Sequence, residues 1–258
     1  MTIESLKPES QKVIESFLHL KVGDAIASVP YFNNKTVKAR FGVRAFVGKG
    51  NPKDILEELH TVILKNHIAA SSINNETLKR LMTDQNLGVD CSAFVYHILD
   101  AESRSRKQGT LNKHLTFPKV KGPMAKMWSY LRPVENCDVN TFASDRNSRI
   151  IALKDAKPGD IVTMQTETNG GERNHILLVH TVESEDGVAK RIYYTHAVAY
   201  PEDGVYGTGI KQGEIEIAFP LEDITHQLWI ESGSMEGAKI IFSRAKASKT
   251  EFRRLKWF

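Results

Sequence analysis

Residues 1 to about 87 are predicted to be mainly helical, because apolar residues recur there at the three- and four-residue spacing of a helix. The first helix is predicted within residues 10–20. The second is predicted to begin at Asn51, a residue type that caps helices, with Pro52 in its first turn. A third helix is predicted to follow Asn75. The apolar positions of the first two helices are Val13, Phe17, Leu20, Ile55, Leu56, Leu59, Val62 and Ile63.

Two other segments lack a sustained hydrophobic period. Residues 30–50 are rich in Gly, Asn and basic residues, which predicts a loop that lines a cleft. A short helix is predicted in residues 92–102. Residues 104–149 then mix charge, Pro and Gly around one brief apolar segment, MAKMWSYL, and this composition predicts an insertion.

From Ile150 onward, short apolar runs are separated by Gly, Asn or Asp, as is typical of an antiparallel sheet. These runs are DIVTMQ, HILLVHTV, RIYYTHAVAY, EIEIAF, LWIES and AKIIFS. Helices followed by strands indicate the α+β class, with a helical layer packed on one face of a sheet. We therefore expect residues 1–87 to pack in the same lobe as a core formed by residues 88–258.

Composition fits a soluble globular chain. With 258 residues and 41% hydrophobic content, the chain can bury one substantial core, or one core and a small lobe. Its net charge of +4, from 35 basic and 31 acidic residues, weakly favours an anionic partner. No stretch reaches the roughly 18 apolar residues of a membrane span, and the N-terminus lacks a secretory signal. The sequence thus predicts a cytoplasmic protein without a membrane partner and leaves the oligomeric state open.

Cys91 is the first candidate for chemistry. It lies in LGVDCSAFVYHIL, where Gly88 and Asp90 break and cap the chain, so it is predicted to begin a helix. Backbone N–H groups at a helix start favour a thiolate, which is the nucleophile of acyl transfer. The alternative is that Cys91 is a small core residue. The second cysteine, Cys137, is predicted to be a spare buried thiol without a disulfide.

Two histidines are predicted to lie together on one hairpin. A turn signal at Asp186 and Gly187 joins two apolar runs, and this turn fixes the register of the paired strands. His175 and His196 then share a face as diagonal neighbours, roughly 7 to 8 Å apart at Cα. His180 is predicted to point to the other face.

That register opposes His180 to Tyr193, which disfavours His180 as a base. Acyl transfer needs a base that takes the thiol proton and a polar group that orients the base. We assign these roles to His175 and His196, with Cys91 as nucleophile.

The same residues resemble the NlpC-type cell-wall peptidases, which are papain-like enzymes. The matching motifs are Asp90-Cys91-Ser92, LKDAKPGDIV, His175 in NHILLV and His196 in YYTHA, and they span roughly residues 85–200. In VPYF, Tyr31 is placed like the family's active-site tyrosine. The resemblance implies a papain-like fold, a Cys-His-His triad and no cofactor. It also implies a small peptide or muropeptide-like substrate whose free amine is held by Tyr31, Asp90 and Ser92.

The chain departs from that family in three respects. Ala93 replaces the glycine of DCSGF, the segment after the helix is long, and the hairpin between the histidines is longer than usual. A CHAP-type amidase or an acyltransferase on the same scaffold stays an alternative, as does a non-catalytic protein that binds a wall polymer.

Other site types find little support in the sequence. Neither an HExxH motif nor a Cys-x-x-Cys spacing is present, so no metal site is predicted. The basic tail RAKASKTEFRRLKWF is explained equally by contact with a polyanion and by a solvated strand edge with protective lysines. No motif indicates nucleic-acid binding.

Overall fold

The computed structural model describes residues 1–33, 43–166, 174–231 and 235–258 and shows an α+β protein. The helices are α1 (Pro8–Leu18), α2 (Pro52–Lys65), α3 (Asn75–Asp84), α4 (Cys91–Ser105), α5 (Pro123–Leu131), α6 (Pro133–Asn136), α7 (Val139–Ala143), α8 (Gly204–Gly207) and α9 (Met235–Lys246). The strands are β1 (Thr2–Ser5), β2 (Leu20–Val22), β3 (Ala25–Ala27), β4 (Ser148–Ile150), β5 (Ile161–Gln165), β6 (His175–Glu185), β7 (Val188–Val198), β8 (Gly209–Glu216), β9 (Leu228–Glu231) and β10 (Lys249–Leu255).

One antiparallel sheet organises the chain. Its strand order is β4-β10-β5-β6-β7-β8-β9, and β1 adds to the part of β6 that follows His180. Strands β2 and β3 form a separate hairpin. The four helices predicted before residue 105 are confirmed, and α2 begins with the predicted Asn51 cap, which accepts a hydrogen bond from the Asp54 N–H at 2.9 Å. The prediction for residues 1–87 omitted the three short strands, of which β1 belongs to the main sheet.

The prediction of a strand at AKIIFS is wrong, because this segment lies inside α9. Its buried residues Ala238, Ile241 and Ala245 are three and four positions apart, which is a helical spacing. A short apolar run does not distinguish a strand from a buried helix. The strand predicted at EIEIAF lies earlier in the chain, because β8 ends at Glu216. At LWIES, β9 ends at Glu231, and Ser232 lies outside the described residues.

The interpretation of the basic tail as a solvated edge is also wrong. Strand β10 lies inside the sheet, between β4 and β5. Arg253, which is 1% exposed, donates to Ser148 Oγ at 2.8 Å and forms ion pairs with Asp145 and Glu251. Arg253 therefore serves the core of the sheet.

The sheet is covered on both faces. On β6, Ile176 and Leu178 pack with α1 and α4, whereas Leu177 and Val179 pack in a second apolar cluster that includes Ile241 of α9. This alternation is the two-residue period of a strand with both faces buried. The predicted layer of helices therefore accounts for one face, and α9 covers the other.

The segment of residues 104–149 contributes to this core. It holds α5, α6 and α7, and its buried residues Leu111, Val134 and Phe142 pack with α4. In the described part of the chain, no helix is long and apolar enough to cross a membrane.

Two backbone segments fix the start of α4. Val89 forms bridges with both Tyr31 and Lys49, and the Asp90 N–H donates to the Gly48 carbonyl at 2.8 Å. The loop predicted at residues 30–50 therefore supports this helix start where it is described, while residues 34–42 lie outside the described part.

Gly48 carries the tightest constraint in this arrangement, and we expect Gly48→Ala to destabilise the protein strongly. Its φ is +72°, and an added Cβ would lie 2.1 Å from the Phe32 carbonyl oxygen. Gly187 is a matched control, because its φ is +78° with no atom within 4 Å of an added Cβ. Gly187→Ala should lower the free energy of unfolding by only about 1–2 kcal/mol, which is the cost of holding a residue with a Cβ in the left-handed backbone conformation. Urea unfolding of both variants measures the difference, and equal midpoints would contradict this constraint.

Candidate active site

The hairpin that carries the two histidines has the predicted turn. Glu185 pairs with Val188 across Asp186 and Gly187, and Leu178 pairs with Thr195, as counting from this turn predicts. Two bulges lie between these pairs. They lie on opposite strands, so their one-residue shifts cancel before the histidines are reached.

The predicted pairing of His180 is wrong in detail. Thr181 is the residue that pairs with Tyr193, and His180 is the extra residue of a bulge on β6. Its ring centroid still lies 6.4 Å from that of Tyr193. Its Nδ1 lies 3.1 Å from Thr181 Oγ1, and no hydrogen bond among the described residues joins His180 to His175 or His196.

A continuous chain of buried hydrogen bonds connects the two predicted histidines to two further residues. His175 Nε2 lies 2.7 Å from His196 Nδ1, and His196 Nε2 lies 3.0 Å from Glu231 Oε1. Tyr200 donates its hydroxyl to Glu231 Oε2 at 2.7 Å. The predicted closeness of His175 and His196 is confirmed, and the contact is direct.

This chain sets the tautomers of both rings. The Glu231 carboxylate accepts, so His196 carries its proton on Nε2 and leaves Nδ1 as an acceptor. His175 must then donate from Nε2, which leaves its Nδ1 unprotonated. A neutral imidazole with a free Nδ1 is a base.

Glu231 and Tyr200 were missed by the sequence analysis. Glu231 lies two residues after buried Trp229 on β9 and shares its inward face, so an acidic residue at an inward position of an apolar strand was the available signal. Glu231 reaches His196 only because β9 lies next to β8 and two strands from β7. The local sequence pattern does not specify this strand order.

The Cys91 thiol lies at the end of the sheet where β6 begins. Cys91 is the first residue of α4, and the Asp90 side chain caps this helix by accepting from the Ala93 N–H at 2.7 Å. The backbone N–H of Ile176, the residue after His175, lies close enough to the sulfur to lower its pKa. Of the hydrogen bonds among described residues, none joins the thiol to either imidazole directly.

Burial raises the pKa of the Cys91 thiol to about 12, and the Asp90 carboxylate adds to this increase. The Lys49 charge, the Ile176 N–H and the Arg244 charge act in the opposite direction. The expectation that the helix start holds a thiolate is therefore wrong for the site without substrate, because the loss of hydration outweighs these favourable charges. Cys137 is also free and buried, as predicted.

The histidines are neutral for the same reason. Burial lowers the pKa of His175 well below its ordinary value, and His196 and Arg244 act in the same direction. Burial also lowers the pKa of His196, against the opposing hydrogen bond to Glu231. The resting site thus combines a neutral thiol with a neutral base.

Asp90 and Ser92 belong to a buried cluster around Lys49. The Lys49 ammonium lies 2.7 Å from Asp90 Oδ2 and donates to Ser92 Oγ and to the Cys137 carbonyl, both at 3.0 Å. Ser92 also donates to Asp90 Oδ1 at 2.8 Å. Both side chains therefore have internal partners, and their role as ligands of a substrate amine stays a prediction.

Tyr31 is half-buried beside the same helix start. Burial raises its pKa, and the charges of Cys91 and Asp90 add to the effect, so its hydroxyl lies within electrostatic range of both. The backbone bridge to Val89 holds Tyr31 there. The structure thus places Tyr31 close to the predicted nucleophile.

Arg244 of α9 is a further charge at this site. Burial is the main cause of each shift in the pKa of Cys91, His175 and His196, and the Arg244 charge contributes to all three in the lowering direction. Among the described residues no ion pair neutralises this guanidinium. In the same part of the chain, no group of three His, Cys, Asp or Glu side chains is placed to hold a metal ion.

We expect the free energy of unfolding to fall as pH decreases from 7 to 5. His97, His175, His180 and His196 all have lowered pKa values in the folded state, so the unfolded chain binds more protons at acid pH. Each histidine that stays neutral at pH 5 contributes a loss of about 2 kcal/mol. The pKa of His180 is lowered to about 4, so His180→Gln should reduce the total loss by one such step. Urea titrations of the wild type and the variant at both pH values measure this loss of unfolding free energy. A midpoint that does not change with pH would contradict the lowering of the histidine pKa values by burial.

Comparison with protein-family models found no matching family, and comparisons with curated proteins and with solved structures found no match either.

Proposed function

We propose that this protein is a cysteine hydrolase that cleaves an amide bond in a small peptide of the cell-wall type, on a papain-like scaffold similar to the NlpC peptidases. Cys91 is the nucleophile, His175 the base and His196 the group that orients the base. The observation that carries the proposal is the buried hydrogen-bond chain from Tyr200 to His175, at the end of the sheet where the Ile176 N–H lies near the sulfur of Cys91 at a helix start.

The first step is proton transfer from the Cys91 thiol to Nδ1 of His175. The sulfur attacks the scissile carbonyl carbon, and the imidazolium that forms keeps its Nε2–H bond to His196. The carbon–nitrogen bond then breaks as His175 returns the proton to the leaving amine. A thioester on Cys91 remains.

Water completes the reaction by the same route in reverse. His175 takes a proton from water, the hydroxide attacks the thioester carbon, and the carbon–sulfur bond breaks to release the acid. The thiolate recovers its proton from His175. A neutral Cys91 thiol beside a neutral His175 imidazole suits this scheme, since the imidazole then accepts the proton only when a substrate is in place.

The first turn of α4 supplies hydrogen-bond donors for the oxyanion of both steps. The Asp90 side chain occupies the Ala93 N–H. No hydrogen bond among the described residues uses the N–H groups of Cys91 or Ser92, and N–H groups at a helix start stabilise a developing negative charge.

The substrate contacts follow from the remaining charges. Because Lys49 neutralises Asp90, we assign Asp90 and Ser92 to positioning of the helix start, and Tyr31 to contact with the substrate. The Arg244 guanidinium favours a substrate with an anionic group, such as the carboxylate of a peptide, near the scissile bond.

Turnover of muropeptide-like and aminoacyl-amide substrates tests the proposal. Cys91→Ala should lower kcat/KM by at least about 10³-fold, because the nucleophile is lost. Cys137→Ala is the matched control, since Cys137 is an equally buried free thiol, and it should retain the wild-type rate. Product analysis separates hydrolysis from acyl transfer. Equal rates for the Cys91→Ala variant and the wild type would contradict the mechanism and would favour a non-catalytic role in binding a wall polymer.

A further inference from the structure

Helix α5 presents its large apolar side chains to solvent. Met124, Met127, Trp128 and Leu131 are 71%, 55%, 54% and 60% exposed. They are spaced three and four positions apart, so they form one stripe along the helix. An apolar stripe of this size on a surface helix marks a contact surface.

The buried side of the same helix holds small residues. Ser129 is buried and donates to the Lys126 carbonyl at 2.8 Å, and Ala125 is half-buried. A helix that packs on a globular core turns its large apolar residues inward. Helix α5 has the reverse orientation, so its outward stripe is available to a partner.

The surroundings of α5 are strongly basic. Residues 103–134 contain eight Lys and Arg residues and no Asp or Glu. Four of the eight pair with acidic residues outside this segment, namely Arg104 with Asp100, Arg106 with Glu102, Lys119 with Asp138 and Arg132 with Glu135. Lys113, Lys121 and Lys126 are exposed and form no ion pair among the described residues. The partner of this surface must therefore be both apolar and anionic.

We propose that α5 lies in the interface of an anionic phospholipid bilayer, with the Met124-Met127-Trp128-Leu131 stripe among the acyl chains and the lysines at the headgroups. An apolar helix face rich in Trp and Leu beside basic residues is the pattern of interfacial helices. A second copy of the chain fits less well, because a symmetric contact would bring two such basic segments together. The contact is peripheral and independent of the proposed hydrolase activity.

Co-sedimentation of the full chain with vesicles tests this assignment. The wild type should bind vesicles of phosphatidylglycerol mixed with phosphatidylcholine, and binding should fall at high salt and be at least about tenfold weaker on phosphatidylcholine alone. Met124→Ser with Trp128→Ser, and separately Lys121→Glu with Lys126→Glu, should each remove most of the binding. Leu221→Ser is the control, because Leu221 is 93% exposed outside the stripe and should be dispensable.

Trp128 fluorescence adds a local readout. Emission should shift to shorter wavelength on binding, and Trp128→Phe should abolish the shift while binding is retained. Circular dichroism verifies that the variants fold. Failure to bind anionic vesicles, equal binding to neutral ones, or binding unaffected by the α5 substitutions would overturn the proposal. So would a dimer in sedimentation analysis that the Met124→Ser, Trp128→Ser variant abolishes, because the stripe would then belong to a second copy.

Discussion

The hydrogen-bond chain from Tyr200 through Glu231 and His196 to His175 is the interaction on which the proposed chemistry of this protein depends. All four side chains are buried, so each polar atom needs a partner within the protein. The single carboxylate at one end determines which nitrogen of each ring carries a proton. Without Glu231, either tautomer of His196 satisfies the contact with His175, and the basic nitrogen of His175 is no longer defined.

The rest of the fold brings this base and a cysteine to the same end of the sheet. His175 and His196 belong to the face covered by α9, whereas α4 packs on the other face. The Cys91 sulfur nevertheless lies near the start of β6, because His175 is the first residue of β6, Cys91 is the first residue of α4, and the Ile176 N–H lies near that sulfur. The Lys49 cluster and Gly48 hold that helix start in place. Burial raises the pKa of the thiol and lowers the pKa of both rings, which favours their neutral forms, so in the proposed reaction charge develops only once a substrate is attacked.

Local sequence patterns predicted the parts of this arrangement that depend on neighbours in the chain. The Asn51 cap, the start of α4 at Cys91 and the Asp186-Gly187 turn are all decided within a few residues, and the turn placed both histidines on one face. The two cancelling bulges were not predictable, since they leave the alternation at the histidine end unchanged. Glu231 and Arg244 required knowledge of strand order and of α9, which tertiary packing decides. AKIIFS was misread because its apolar run fits both periods.

Nitrogen-15 NMR of the histidine side chains tests the central claim most directly. In protein labelled at histidine, and with His175 and His196 assigned by their Gln variants, both rings should be neutral near pH 7. Each should carry its proton on Nε2, and Glu231→Gln should disturb this pattern while Glu216→Gln, on the neighbouring strand, should not. A proton on Nδ1 of His175, or a charged imidazolium there, would contradict the account, because that nitrogen could not accept the proton of Cys91.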